Sequence, residues 1–172
     1  LAGQGFKVVR FEFPYMREIR ETGKKKAPNT AKVLLQTWRD VIQDFGSEGL
    51  IIGGKSMGGR IASMAADEMN MAGSVTGLVC LGYPFHPPGK PEKTRTEHLK
   101  ELKTPTLILQ GERDTFGTPQ DVAGYTLSKS IEIQWLPDGD HSFKPRKKSG
   151  ITLDQNMEKT VTAMTGFVRA LI

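Results

Sequence analysis

The apolar positions of this chain fall into two patterns that take turns along its length. Short runs of aliphatic residues read as strands, and longer stretches with apolar residues three and four apart predict helices. Lys7–Phe13 alternates and reads as a strand stopped by Pro14. Arg17 to Asn29 is polar, holds a lysine run and Pro28, and reads as a loop. Thr30 to Phe45 predicts a helix whose repeating face is Val33, Leu34, Trp38, Val41, Ile42 and Phe45. Gly49 to Gly53 reads as a buried strand, and Gly59 to Ala66 as a helix close behind it. Val75–Leu81, Thr106–Gln110 and Ile131–Leu136 are further strands. Pro84 to Pro91 is a proline-rich loop, and Thr94–Leu102 a short helix. Thr118 has the place of an N-cap and Pro119 that of a first helical residue, opening a helix to about Lys129. Asp154–Ile172 closes the chain as a helix with Met157, Val161, Met164, Phe167, Val168 and Leu171 on one face.

Five strands separated by helices imply an α/β fold, a mostly parallel sheet with helices on both faces. The 172 residues are enough for one such domain, residues 1–172, and show no internal repeat. Ligands in these sheets bind beyond the carboxyl ends of the strands. The residues that follow each strand are therefore where chemistry is sought.

After the strand ending near Gly53 comes Gly54-Lys55-Ser56-Met57-Gly58, a G-x-S-x-G pentapeptide. A serine on a tight strand-to-helix turn projects its hydroxyl above the sheet, and the helix N-terminus behind it favours negative charge. Serine is a weak nucleophile until a base takes its proton. After Thr106–Gln110 comes Gly111-Glu112-Arg113-Asp114, and after Ile131–Leu136 comes Pro137-Asp138-Gly139-Asp140-His141. An acid and a histidine thus follow two successive strands on the edge that carries Ser56. Histidine works as a base near neutral pH, and a carboxylate fixes its tautomer. Ser56 is the expected nucleophile, His141 the base and Asp114 the acid.

The alternatives are named residues. Glu112 is the nearest rival acid, while Asp138 and Asp140 read as turn residues beside His141. His98 falls in a predicted helix, and His86 either lines the pocket or lies solvated in its loop. Arg60 either meets an acidic substrate group or forms a structural ion pair, the plainer reading. Lys55 stabilises an anionic group or, more simply, is an exposed turn lysine.

Composition changes this picture little. The formal net charge of +5 comes partly from Lys24-Lys25-Lys26 and the basic run Lys144 to Lys148. Both runs sit among turn formers and read as solvated loops, with attraction of an anionic substrate or an acidic partner as the alternative. No nucleic-acid-binding motif accompanies them, so no nucleic-acid partner is expected. No apolar run has the length of a membrane span, and no secretory signal pattern opens the chain. Cys80 is the one cysteine and sits in an apolar run, where it reads as an inert core residue. A cytoplasmic protein without cofactor or metal, acting on a small acyl substrate, is the expectation.

With these residues in view, the chain resembles the α/β-hydrolase superfamily. It is similar to the dienelactone-hydrolase-like branch, and within it to small hydrolases related to testis-expressed and histone-acetyltransferase-complex proteins. The segments that carry the resemblance are Phe11–Met16, Gly53–Arg60, Gly82–Pro88, Gly111–Asp114 and Asp140–Phe143. It implies the same roles for Ser56, Asp114 and His141. It also implies that the backbone N–H of Met57 is one donor of an oxyanion hole. Dienelactone hydrolase itself carries cysteine as nucleophile, and this chain has Ser56, so its lactone chemistry is not implied. In the superfamily a strand and a glycine-rich loop with the second oxyanion donor precede this point. That strand would lie between the segments of Val9 and Ile51, so the chain reads as an N-terminally incomplete domain in which those two do not pair. Two functions follow: a serine hydrolase with a Ser-His-Asp triad, or a non-catalytic interaction domain on the same scaffold.

Overall fold

The structure, a computed structural model, describes residues 1–46 and 49–172. Four parallel strands form one sheet: β1 (Leu50–Lys55), β2 (Val75–Leu81), β3 (Thr106–Gly111) and β4 (Ile131–Leu136), side by side in that order. The run of strands along the chain predicts this order, and with it the pairs Ile51–Leu78, Leu78–Ile108 and Ile108–Ile133. The order and the last pair hold, but the register of the other two differs: Leu78 stands opposite Ile52 and Thr106, and Ile108 stands opposite Cys80.

Alternation along the strands divides the core in two, as a sheet covered on both faces requires. Ile52, Leu78, Cys80 and Ile108 face one side. There they pack with Leu34, Trp38 and Ile42 of α2 (Ala31–Phe45) and Ile61, Ala62, Ala65 and Ala66 of α3 (Met57–Met71). Val79, Leu107 and Leu109 face the other side, against Ala163, Met164 and Phe167 of α5 (Leu153–Arg169). Cys80 is buried in the first core, and burial pushes its thiol well above the ordinary range.

Lys7–Phe13 is not a strand, so the sheet has four strands among the described residues rather than five. Its alternation serves another purpose. Phe11 packs edge-on to Trp38 at 4.7 Å, and Phe13 is buried, while Val8 and Val9 stay exposed. The segment lies on α2 and takes no part in the ladder, in line with the expectation that Val9 and Ile51 do not pair.

The polar stretch read as a loop from Arg17 begins as a helix instead, α1 (Pro14–Thr22). Pro14 occupies its first turn, where a missing N–H costs nothing, and Gly23 closes it at φ 68°. Pro14 opens a helix here rather than merely stopping a strand. Thr94–Leu102 keeps one 3-10 turn, Glu97–Leu99, held by the buried Leu99 and Leu102. The helix after Thr118 is also short, α4 (Pro119–Ala123). Thr118 and Asp121 form a reciprocal capping box at its start, and Gly124 ends it.

Candidate active site

β1 runs into α3 through Ser56, whose φ of 53° and ψ of −120° lie outside the regions open to ordinary residues. Two glycines permit this turn. A Cβ on Gly54 would meet the Gly58 carbonyl carbon at 2.7 Å, and one on Gly59 would meet the Gly54 oxygen at 2.6 Å. The Ser56 N–H donates to the Leu81 carbonyl at 2.8 Å, which pins the turn to the end of β2. Met57 is the first residue of α3, so its N–H is one of those the helix itself cannot satisfy.

The turns after β3 and β4 are pressed together at Gly111, where a Cβ would lie 2.4 Å from the carbonyl oxygens of Gly139 and Asp140. This contact brings Asp114 and His141 into reach of each other. His141 Nε2 lies 2.9 Å from Ser56 Oγ, and His141 Nδ1 lies 2.7 Å from Asp114 Oδ2. A carboxylate only accepts, so Nδ1 carries the ring proton and Nε2 presents its lone pair to the serine hydroxyl. Asp114 is fully buried and His141 partly open. Phe116 covers the imidazole at a centroid distance of 4.5 Å, and Gly82, at φ 62°, leaves room for it on another side.

Two donors besides histidine satisfy the buried Asp114 carboxylate. The Phe116 N–H donates to Oδ1 at 2.9 Å, and Gln110 Nε2 donates to Oδ2 at 2.9 Å. Gln110 is itself fully buried, and its Oε1 accepts from the Tyr83 N–H at 2.7 Å. Sequence reasoning passed over this residue. Its signal was a polar side chain closing the apolar run Thr106–Gln110.

The rivals fall elsewhere. Glu112 Oε2 accepts from the Asp138 N–H at 2.8 Å, so it braces the histidine turn and does not touch the ring. Asp140 accepts from the N–H groups of Ser142 and Lys144, a turn role as expected. Asp138 pairs with Arg146 and stands 3.6 Å from Arg113. Lys55 is not simply an exposed turn residue. Its Nζ donates to the His141 carbonyl and stands 5.6 Å from the Phe143 ring centroid. Burial holds its pKa below the usual lysine value. His86 does not lie solvated in its loop. It is buried, with Nδ1 donating to the Pro87 carbonyl at 2.8 Å and Nε2 3.5 Å from Asp121.

A second serine–histidine contact joins Ser63 Oγ and His98 Nε2 at 2.8 Å. Ser63 donates its one hydroxyl proton to the Arg60 carbonyl at 2.7 Å, so His98 must be the donor to Ser63. A nitrogen that holds a proton is no base for that serine. Burial, and then the charge of Arg60, keep the His98 pKa below its ordinary value. Among the described residues, no group of three or more His, Cys, Asp or Glu side chains stands ready to hold a metal. Among the described residues, no helix is long and apolar enough to cross a membrane. A cavity of about 730 Å³ lies between β4 and α5, lined by Trp135, Ile151, Gln155 and Thr162 among others, and Ser56, Asp114 and His141 are not among its lining.

The chain belongs to the alpha/beta hydrolase domain family, whose model matches residues 1–169. Solved structures of low identity share its fold. A monoacylglycerol lipase from Paleococcus ferrophilus is 13% identical, with a TM-score of 0.64 over 86% of this chain and 78% of that one. An alpha-beta serine hydrolase homologue from Coxiella burnetii is 19% identical, with a TM-score of 0.56 over 88% of this chain and 65% of the other. A predicted CIB-like hydrolase from Thermoplasma acidophilum is 18% identical, with a TM-score of 0.56 over 83% of this chain. The chain spans 61% of that protein's length.

Proposed function

We propose that the protein is a serine hydrolase that cleaves an ester, thioester or related acyl bond. The observation that carries this reading is the continuous contact from Ser56 Oγ through His141 to Asp114, at 2.9 and 2.7 Å. Ser56 Oγ attacks the carbonyl carbon while its proton passes to His141 Nε2. The negative charge that develops on the carbonyl oxygen is met by the Met57 N–H and the N-terminus of α3. Asp114 holds the ring and offsets the imidazolium. His141 then returns the proton to the leaving group, and an acyl group stays on Ser56. Water repeats the sequence with His141 as base, frees the acid and restores the serine.

The substrate is a small acyl compound, the protein a cytoplasmic enzyme, and the class that of the carboxylesterases. The motifs around Ser56, Tyr83 and Asp114 also support a place in the dienelactone-hydrolase-like branch, beside the small hydrolases related to testis-expressed proteins. Hydrolysis of a short-chain 4-nitrophenyl ester, compared between the protein and Ser56→Ala, tests the reading. The variant should lose about 10⁴-fold or more in kcat, because serine and histidine act as a unit. Equal rates would leave the non-catalytic interaction domain as the better account.

A further inference from the structure

Arg60 follows Ser56 by one helical turn, and its N–H donates to the Ser56 carbonyl at 3.1 Å. The plainer sequence reading gave it a structural ion pair. Among the described residues, neither Arg60 nor Arg95 forms one. The Arg60 Nε is buried and has no hydrogen-bond partner. Both side chains are half-buried.

A polar floor joins the segments that carry them. Ser63 Oγ contacts the Arg60 carbonyl and His98 Nε2 at 2.7 and 2.8 Å. The Tyr83 hydroxyl donates to the Arg95 carbonyl at 3.0 Å and lies 3.4 Å from His98 Nε2. Tyr83 directly follows Gly82, where a Cβ would lie 3.2 Å from the His141 ring. Floor and triad therefore meet at the end of β2.

The charge here is one-sided. After burial, the charge of Arg60 is the next cause that lowers the pKa of both Arg95 and His98. The carboxylate that His98 senses is Asp67, and Asp67 is already engaged. It accepts from the N–H groups of Lys103 and Thr104 and from the Thr104 hydroxyl, at 2.7 to 3.1 Å. Two half-buried guanidiniums without a counter-charge gain nothing for folding. They match the fork geometry by which arginine binds carboxylate and phosphate.

We propose that Arg60 and Arg95, above the floor of Ser63, Tyr83 and His98, form a subsite for a carboxylate or phosphate group carried by the substrate of Ser56. This rests on the hydrolase reading for its link to catalysis but not for the binding itself. Titration calorimetry of Ser56→Ala with glutarate and with inorganic phosphate, at fixed ionic strength, tests the binding. One site is expected, weakened at least tenfold by Arg60→Gln and by Arg95→Gln. Arg39→Gln, which breaks an exposed pair with Glu68, should leave it within twofold. The stronger of the two probes tells carboxylate from phosphate. Arg60→Gln should melt no lower than its parent without anion and should lose the rise that anion gives. If it does not fold, Arg60→Lys and Arg95→Gln carry the same comparison.

The catalytic link is read as a ratio: kcat/KM for mono-4-nitrophenyl glutarate over that for 4-nitrophenyl butyrate. It should fall at least tenfold in Arg60→Gln. Failure of both probes to bind, equal binding in the arginine variants, or an unchanged ratio would overturn the subsite. Anion binding without hydrolysis of either ester would instead overturn the hydrolase reading.

Discussion

Gln110 Nε2 donates to Asp114 Oδ2 at 2.9 Å, the same oxygen that accepts the hydrogen bond from His141 Nδ1. Gln110 thereby fixes the acid from behind while the histidine approaches from the site. Its other end holds the Tyr83 N–H, so one buried amide ties the acid turn after β3 to the end of β2.

Gln110→Met should therefore affect stability and rate together. The buried Tyr83 N–H loses its partner, a penalty of about 1–3 kcal/mol, while Asp114 Oδ2 is left with His141 alone. Urea unfolding measures the first effect, and kcat for a 4-nitrophenyl ester the second. A variant as stable and as fast as the parent would show that the amide is idle.

The two candidate acids separate by substitution. Asp114→Asn should reduce kcat about 10⁴-fold, because the amide no longer holds the histidine tautomer. Glu112→Gln should stay within a few fold, since Glu112 is exposed and meets only the Asp138 backbone. The reverse order in steady-state kinetics would exchange their roles.

Asp67 gives a pH signature. Burial raises its pKa, but hydrogen bonds from Thr104 and Lys103 outweigh this and hold it below the ordinary aspartate value. A folded pKa below the unfolded one gives stability that is present above the unfolded pKa and lost as pH falls through the folded one. Asp67→Ala should be less stable than the parent at neutral pH by about 1–3 kcal/mol, the scale of unpaired donors. The gap should close only below about pH 4, where the parent's carboxylate protonates. Thermal melts of both proteins from pH 7 to pH 3 measure it, and a constant gap would contradict the assignment.

Much of this site was legible in the sequence because its parts sit in short motifs at strand ends. Ser56, Asp114 and His141 each follow a short apolar run that forms a strand, and the run before Asp114 is buried along its whole length. The exact register was not legible: Ile108 does stand against Ile133, but Leu78 faces Ile52 and Thr106 and not Ile51 and Ile108. Lys7–Phe13 misled because alternation reports one buried face, not a hydrogen-bonded neighbour. Phe11 and Phe13 bury that face on α2 instead. Pro14 misled because it can end a strand or open a helix, and only Gly23 at the far end of α1 decides. His86, Gln110 and the unpaired Arg60 depend on contacts between segments distant in sequence, which no local pattern encodes.

The central claim is that Ser56 is the activated nucleophile, and a fluorophosphonate label with peptide mass spectrometry tests it most directly. The protein should gain a single phosphonyl group on the peptide that contains Ser56. Ser56→Ala should gain none, and His141→Ala should react far more slowly because the base is gone. An unlabelled protein, or a label found on Ser63 instead, would contradict the account.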